Sequence, residues 1–299
     1  MINFVKKRRL WYSFSISVII LGFIFMAINF VSINNFFNLG IDFTGGTSIT
    51  LRLDQSNENI EQDLRAVLNE LGLEKHTIQR SGDADIVIKT EEMTVDIRKA
   101  LFEAIEKKVS SFDVLEVDII GPSIGEQLKN VSIIIVVCVS IAILLYCSWR
   151  FEIIFGLASI VALLHDALIL LSLTAILKIE MNTAYIAALL TVLGYSINDT
   201  IVIFDRIREK FKSVYKEETN RVSKSLMNKA INEMLPRSIH TSITTGLVVF
   251  SIFFIGGLSL KVFSTVLIIG LFTGTYSSLF IASPMVVTIS KIKGAKIDQ

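Results

Sequence analysis

Charge and proline are what this sequence lacks. Of 299 residues only 19% are charged and three are proline, while 52% are hydrophobic and the mean hydropathy is +0.61. That is too apolar for an ordinary soluble domain or a disordered chain. A net charge of +1 leaves no basic surface for nucleic acid once membrane flanks are allowed for. The two cysteines, Cys138 and Cys147, fall in one apolar run and would stand about 13 Å apart along a helix, so they do not pair. There is no Cys/His metal spacing and no phosphate-cradling glycine loop, so no metal, ATP or other cofactor is expected. His165 and His240 lack an activated serine beside them and His76 falls on an expected strand, which sets hydrolysis aside and makes the chain a non-enzyme.

What is present is length in apolar runs. Six can be marked, at 11–33, 131–148, 153–177, 183–204, 238–258 and 262–289, each near or above the roughly 20 residues that cross a bilayer. The first follows Lys6-Lys7-Arg8-Arg9 but is too long for a signal-peptide core and has no small-x-small cleavage site, so it reads as an uncleaved anchor. Lysine and arginine placement gives the orientation. Seventeen lie in 1–10, the second turn, 205–237 and 290–299, against Lys178 and Lys261 in the opposite short loops. Both termini and 205–237 are therefore expected in the cytoplasm of a multi-pass protein, and 34–130 outside. Eighteen acidic against ten basic residues leave that long segment at −8, the balance of a solvated folded domain.

Inside the segment the hydrophobic period alternates between two and 3.6. Thr47–Leu53 sets Ile49, Leu51 and Leu53 on one face of a strand; Asn59–Leu71 lines up Ile60, Leu64, Val67, Leu68 and Leu71 on a helix. His76–Arg80 and Asp85–Lys89 read as strands about a turn at Ser81-Gly82-Asp83. A second helix near Thr94–Val109 carries Ile97, Ala100, Leu101, Ala104 and Ile105, and Asp113–Ile119 alternates again with Leu115, Val117 and Ile119 inward. The expected fold is an α-helical membrane protein whose six spans carry, between the first and second, a ferredoxin-like βαββαβ extracytoplasmic domain.

Ionisable groups at bilayer depth cost at least about 2.5–3.5 kcal/mol each, so they face a bundle interior and serve ion pathways or tight pairs. The candidates are Asp199 in the fourth span, Asp166 with His165 in the third, and Arg237, which opens the fifth after Pro236, a residue suited to a first helical turn. Asp199 shares a stripe with Thr191, Tyr195, Asn198 and Val202, and Arg237 with Thr241, Thr244 and Thr245; two polar stripes suggest a hydrated seam. His165 and Asp166 fit a relay or a structural pair equally. Gly270, Gly274 and Ser278 form a small-residue face for helix packing. Asp205, Arg206, Arg208 and Glu209 read as a solvated helix end.

One long loop and then five close spans is half of the resistance-nodulation-division plan. Gly40-Ile41-Asp42-Phe43-Thr44-Gly45-Gly46-Thr47, Gly121-Pro122-Ser123-Ile124-Gly125, Leu164-His165-Asp166, and Gly194-Tyr195-Ser196-Ile197-Asn198-Asp199-Thr200 running on to Asp205–Glu209 together resemble the SecF family, the smaller membrane subunits of SecDF protein-export complexes. The resemblance runs from the first span to the last without departure in these motifs. It implies an accessory subunit of the Sec export machinery in the bacterial inner membrane. Such a subunit works with a SecD-like chain and a SecYEG-type channel, and uses protons to pull unfolded polypeptide outward at a late stage of translocation. It further implies that Asp199 of the Asn198-Asp199-Thr200 motif and Arg237 carry the proton coupling, and that Gly40, Asp42, Gly45, Gly46, Gly121, Pro122 and Gly125 link domains or meet partners. Membrane lipid is a partner of any such chain. Two alternatives remain: a half-transporter of the same superfamily exporting small molecules or lipids, and a non-conducting scaffold. The charge bias makes a direct expectation. A cysteine at Asn57 reacts with an impermeant thiol reagent from outside and one at Ser213 only in opened membranes; the reverse pattern overturns the orientation.

Overall fold

The structure, a computed structural model, describes residues 2–54, 60–81, 85–109, 111–215, 221–292 and 296–298. The chain divides into two units, Met1–Asn38 with Ile135–Gln299, and Leu39–Ile134. In chain order the elements are α1 (Arg8–Ile33), β1 (Asn38–Leu39), α2 (Ile41–Thr44), β2 (Gly46–Leu53), α3 (Ile60–Glu70), β3 (His76–Ser81), β4 (Asp85–Thr90), α4 (Val95–Lys108) and β5 (Phe112–Ile120). There follow α5 (Pro122–Arg150), α6 (Ile153–Leu177), β6 (Glu180–Met181), α7 (Thr183–Tyr215), β7 (Arg221–Ser223), α8 (Lys224–Ile255) and α9 (Leu258–Tyr276), then a π-helical segment (Ser277–Ala282), α10 (Ser283–Ile292) and β8 (Lys296–Asp298).

The described residues hold six stretches long and apolar enough to cross a membrane: Arg8–Ser32, Pro122–Arg150, Ile153–Leu177, Thr183–Val214, Lys224–Ile255 and Ser259–Ile292. The protein is a helical membrane protein. Small residues set how closely these helices approach. A Cβ on Gly22 of α1 would fall 2.5 Å from the Ser172 Cα of α6, and one on Gly270 of α9 only 2.0 Å from a Val192 methyl of α7. The small-residue face of the last span is thus a packing face: Gly270 and Gly274 lie against Val192 and Ser196.

Three helices outrun the apolar runs that announce them: α5, which begins at Pro122 instead of 131, and α7 and α8. At 33 residues α7 is about 50 Å long, well beyond a hydrocarbon core of about 30 Å. Its excess packs beside the first turns of α8, where Met227, Ala230, Ile231 and Met234 are buried at helical spacing. The segment 205–237 is therefore mostly helix, and Pro236 lies inside α8, not at its start. The expected opening of the fifth helix at Arg237 is corrected: the amphipathic turns before it, anchored by those four apolar side chains, continue the helix through the proline. Arg206 reaches Glu233 at 2.6 Å and Lys210 reaches it at 2.9 Å, tying the two extensions; Arg150 meets Asp205 at 2.8 Å. The Arg206 charge is thus paired as well as solvated.

In the other unit β2 pairs antiparallel with β4 and β5, and β3 with β4, giving the order β3-β4-β2-β5. Ile49, Leu51 and Leu53 of β2 and Ile86 and Ile88 of β4 join Leu64, Val67 and Leu68 of α3 and Leu101 and Ile105 of α4 in one core. Thr94 caps α4, its hydroxyl accepting from the Ile97 amide. The expected turn at Ser81-Gly82-Asp83 and the helix start at Asn59 lie largely outside the described residues. At β5 the inward set is corrected. Leu115 and Ile119 are 44% and 46% exposed, while Phe112 and Val117 pack on the core. A bulge accounts for Leu115: the register passes from Thr50↔Glu116 to Leu51↔Val114, leaving Leu115 unpaired, whereas Ile119, opposite Thr47 on the face of Val117, lies near the end of an edge strand.

The two glycine motifs meet in this unit. Gly45 and Gly46 have φ of +73° and +130°, and added Cβ atoms would stand 2.8 Å from the Pro122 Cα and 2.4 Å from the Thr90 carbonyl oxygen. A Cβ on Gly125 would come 2.8 Å from the Gly45 nitrogen and 3.5 Å from the Asp42 oxygen. The Gly40 carbonyl accepts from the Phe43 and Thr44 amides, starting α2, and Pro122 takes the first position of α5. Gly121 has no such close neighbour, so space does not require glycine there. Burial, with Glu116 and Asp42 nearby, raises the Asp118 pKa.

Two outcomes are expected. A fragment spanning 46–121 unfolds cooperatively, and Leu101→Asp, which buries an unpaired carboxylate at several kcal/mol, abolishes that transition; a featureless melt of the parent fragment refutes the first. In the whole protein Gly125→Ala forces backbone apart and lowers thermal stability by about 1–3 kcal/mol, whereas Gly121→Ala is near neutral.

Candidate functional site

Two carboxylates gather part of the polar side chains that the membrane helices bury. Asp166 of α6 has no exposed surface. Its Oδ1 lies 2.9 Å from His165 Nδ1, and its Oδ2 accepts hydrogen bonds from the Ser196 hydroxyl of α7 and, at 2.8 Å, from the Ser277 hydroxyl of the π segment. The second imidazole nitrogen, Nε2, meets the Ser15 hydroxyl of α1 at 2.9 Å. A carboxylate only accepts, so with Asp166 ionised the imidazole hydrogen sits on Nδ1 and Nε2 accepts from Ser15. Ser15 also lies 3.2 Å from the Tyr276 hydroxyl, whose single hydrogen goes either to Ser15 or to the Trp11 carbonyl at 3.0 Å. One carboxylate thereby joins α1, α6, α7 and the π segment, and both its oxygens are occupied.

Asp199 of α7 is different. Its Oδ1 accepts from Ser238 of α8 at 2.8 Å, while its Oδ2 is buried and takes no hydrogen bond from any described residue. The Ser278 hydroxyl and the Arg237 guanidinium lie close enough to act on this carboxylate, but Ser278 is engaged elsewhere, with Thr200 at 2.8 Å and the Ser196 carbonyl at 3.4 Å. A buried acceptor without a donor is an expensive state, relieved by a proton, a water or a moved side chain.

Of the residues expected at the site, the structure brings Asp199 and Thr200 to the inner side of α7, Thr200 being 1% exposed. Asn198 and Arg237 are on the outside of this chain. So are Thr191, Thr241 and Thr244, whose hydroxyls return to their own helices at the Ala187, Arg237 and His240 carbonyls. Of the two stripes, Thr191, Asn198, Arg237, Thr241 and Thr244 form outer surface of this chain, while Asp199, Tyr195, Val202 and Thr245 are half-buried. Between those helices and α9 lie the buried Ser196 and Ser238 and the half-buried Ser242, the last paired with Thr275 at 2.6 Å. Sequence reasoning missed Ser238 because Arg237 beside it carries the charge; its signal was the i, i+4 spacing of Ser238 and Ser242, one position round the helix from the arginine stripe.

Comparison with known proteins bears on this arrangement. The family model described as "Protein export membrane protein SecD/SecF, C-terminal" matches residues 100–292, and the one described as "SecD/SecF GG Motif" matches 37–56, which contains Gly45 and Gly46. The protein translocase subunit SecF of Rickettsia felis is 35% identical over 97% of this chain and 92% of its own, and that of Thermodesulfovibrio yellowstonii is 36% identical over 97% and 95%. The crystal structure of SecDF, a translocon-associated membrane protein from Thermus thermophilus, superposes with a TM-score of 0.82 at 34% identity, and a SecDF structure in its super-membrane-facing form with 0.67. They are matched over 97% and 98% of this chain, which spans 39% of the length of each SecDF chain. With one family model covering more than half of its length and relatives matched nearly end to end, the chain belongs to the SecF family of protein translocase subunits.

Proposed function

We propose that this protein pairs with a SecD-like subunit in the bacterial inner membrane and, beside a SecYEG-type channel, uses the proton gradient to drive late-stage movement of unfolded polypeptide outward. Asp199 is the group that takes up and releases the proton, Arg237 biases its charge, and Asn198 and Thr200 flank it. The observation that carries this reading is the unfilled Oδ2 of Asp199 beside a second carboxylate, Asp166, whose oxygens are both filled. An ionised carboxylate oxygen buried without a donor is costly, and a proton taken up there relieves that cost; Asp166, with donors to both oxygens, has no such need. His165 and Asp166 are accordingly assigned the structural role.

The pairing rests on a different observation. Arg237 and Asn198, with Thr191, Thr241 and Thr244, give α7 and α8 a polar outer surface. Facing lipid, a charged side chain there costs at least about 2.5–3.5 kcal/mol, which a second bundle removes by covering it. We read the β2–β5 sheet with α3 and α4 as a ferredoxin-like domain on the extracytoplasmic side, with both termini cytoplasmic. The curated relatives are named as translocase subunits, not as enzymes.

The test is export by membrane vesicles containing the assembled complex, with and without an imposed gradient. Asp199→Asn keeps shape and the Ser238 bond but cannot ionise. It is expected to assemble normally and to lose the gradient-dependent increment by about a hundredfold or more, the scale on which one proton-transfer group contributes. Arg237→Met gives a similar loss, Arg237→Lys a smaller one and Ser238→Ala an intermediate one. Full gradient-driven export by assembled Asp199→Asn leaves the scaffold reading in its place.

A further inference from the structure

The start of the chain is held in an unusual way. Phe4 and Val5 have no exposed surface, and the Phe4 ring packs on Phe280 at 5.0 Å between centroids. Two asparagines of α8 then clamp the backbone. Asn232 Oδ1 accepts from the Ile2 amide at 2.9 Å and its Nδ2 donates to the Ile2 carbonyl at 2.8 Å; Asn228 Oδ1 accepts from the Val5 amide at 3.1 Å and its Nδ2 donates to Asn3 Oδ1 at 2.9 Å. This clamp forms the wall of a cavity of about 940 Å³ lined by Lys6, Arg8, Arg9 and Lys224 together with Asn3 and Asn228. Arg8 gives one guanidinium bond to the Val5 carbonyl at 2.9 Å, and among the described residues none of the four cations forms an ion pair.

Four cations round one cavity repel each other, and the clamp holds the backbone that carries three of them beside Lys224. A charge bias for orientation requires lysine and arginine on one side of the membrane, but neither a walled cavity nor a bound backbone. An anion filling the cavity removes the repulsion. We propose that this pocket binds the phosphate of an anionic phospholipid such as phosphatidylglycerol, Lys6, Arg9 and Lys224 meeting the phosphate and Asn3 and Asn228 shaping the wall. A lipid is favoured over free phosphate by the next turns of the same helix. Beyond Arg8 and Arg9, α1 continues at once through Leu10 and Phe14, which are 58% and 60% exposed and lie where acyl chains run. Because Asn228 meets Val5 one turn before Arg9, this part of α8 is level with the membrane surface. The site is independent of any proton chemistry at Asp199.

Trp11 stands two residues beyond Arg9, and the other tryptophan, Trp149, is removable by Trp149→Phe. In that background, the full chain is reconstituted in phosphatidylcholine vesicles containing either brominated phosphatidylglycerol or brominated phosphatidylcholine, and quenching of Trp11 is measured. Phosphatidylglycerol is expected to quench at about tenfold lower mole fraction. Arg9→Gln with Lys224→Gln abolishes the preference, while Lys212→Gln with Lys291→Gln, the same loss of charge elsewhere, leaves it. Asn228→Ala keeps every charge and is expected to weaken the preference, which carries the test if the double variant does not insert. Equal quenching by the two lipids, equal loss in the two double variants, an unchanged preference in Asn228→Ala, or abolition of the preference by inorganic phosphate alone overturns the proposal.

Discussion

A carboxylate with no exposed surface, placed among membrane helices, has to be given its hydrogen bonds by the protein. Asp166 is that group, and the helix arrangement follows its requirements. Its donors come from α6 itself, α7 and the π segment, with α1 added through His165 and Ser15. Those four elements can converge only if their backbones come close, and Gly22 against Ser172 and Gly270 against Val192 supply the approach. Removing one donor would leave part of a buried charge unpaired, at a cost of several kcal/mol; a satisfied network of this kind rigidifies the bundle.

The π segment shows how the two carboxylates are kept apart in character. Ser277 and Ser278 are consecutive, yet the first serves Asp166 of α6 and the second serves Thr200 and Ser196 of α7. A widened turn permits this, and the Ser283 hydroxyl takes up the Ser278 carbonyl at 2.8 Å within it. Ser278 stands among Thr200, the Ser196 carbonyl and Asp199, and when Thr200 is the donor its own hydrogen is free to turn to either neighbour. The two consecutive serines thus divide between the two carboxylates, Ser277 fixed on Asp166 and Ser278 shared around Asp199.

Much of this was legible from residue order, because bilayer thickness and helical period act on sequence directly. The six apolar runs, the buried faces through Leu64 and Leu101, and the glycine pairs all follow from spacing. What escaped has common causes. The extension of α8 back to Lys224 is stabilised by Met227, Ala230, Ile231 and Met234, scattered among Lys, Asn and Glu, so no window looks apolar. The bulge at Leu115 has no local signature, since Val114, Leu115 and Ile119 are as apolar as inward residues would be. Serine was undervalued throughout: Ser15, Ser196, Ser238 and Ser277 make the contacts that define both carboxylates, yet single serines in membrane helices commonly only back-bond to their own turn, as Ser159 does to Phe155.

The polar outer surface of α7 and α8 shows where the bundle is energetically incomplete by itself. Asn198 is exposed directly beside Asp199, and Arg237 directly beside Ser238. Each inner member of the site therefore has an outer neighbour one residue along, about 100° round the helix. A second bundle laid on that surface would bury Asn198 and Arg237 without touching the Ser238–Asp199 bond. Movement of that bundle by even a fraction of a helical turn would change how closely the guanidinium approaches the vacant Oδ2. Such a change alters how strongly the cation favours the ionised carboxylate. On the proposed pairing and proton role, then, the cation that biases Asp199 sits on the face whose surroundings the partner controls, and the carboxylate sits on the face that this chain holds fixed.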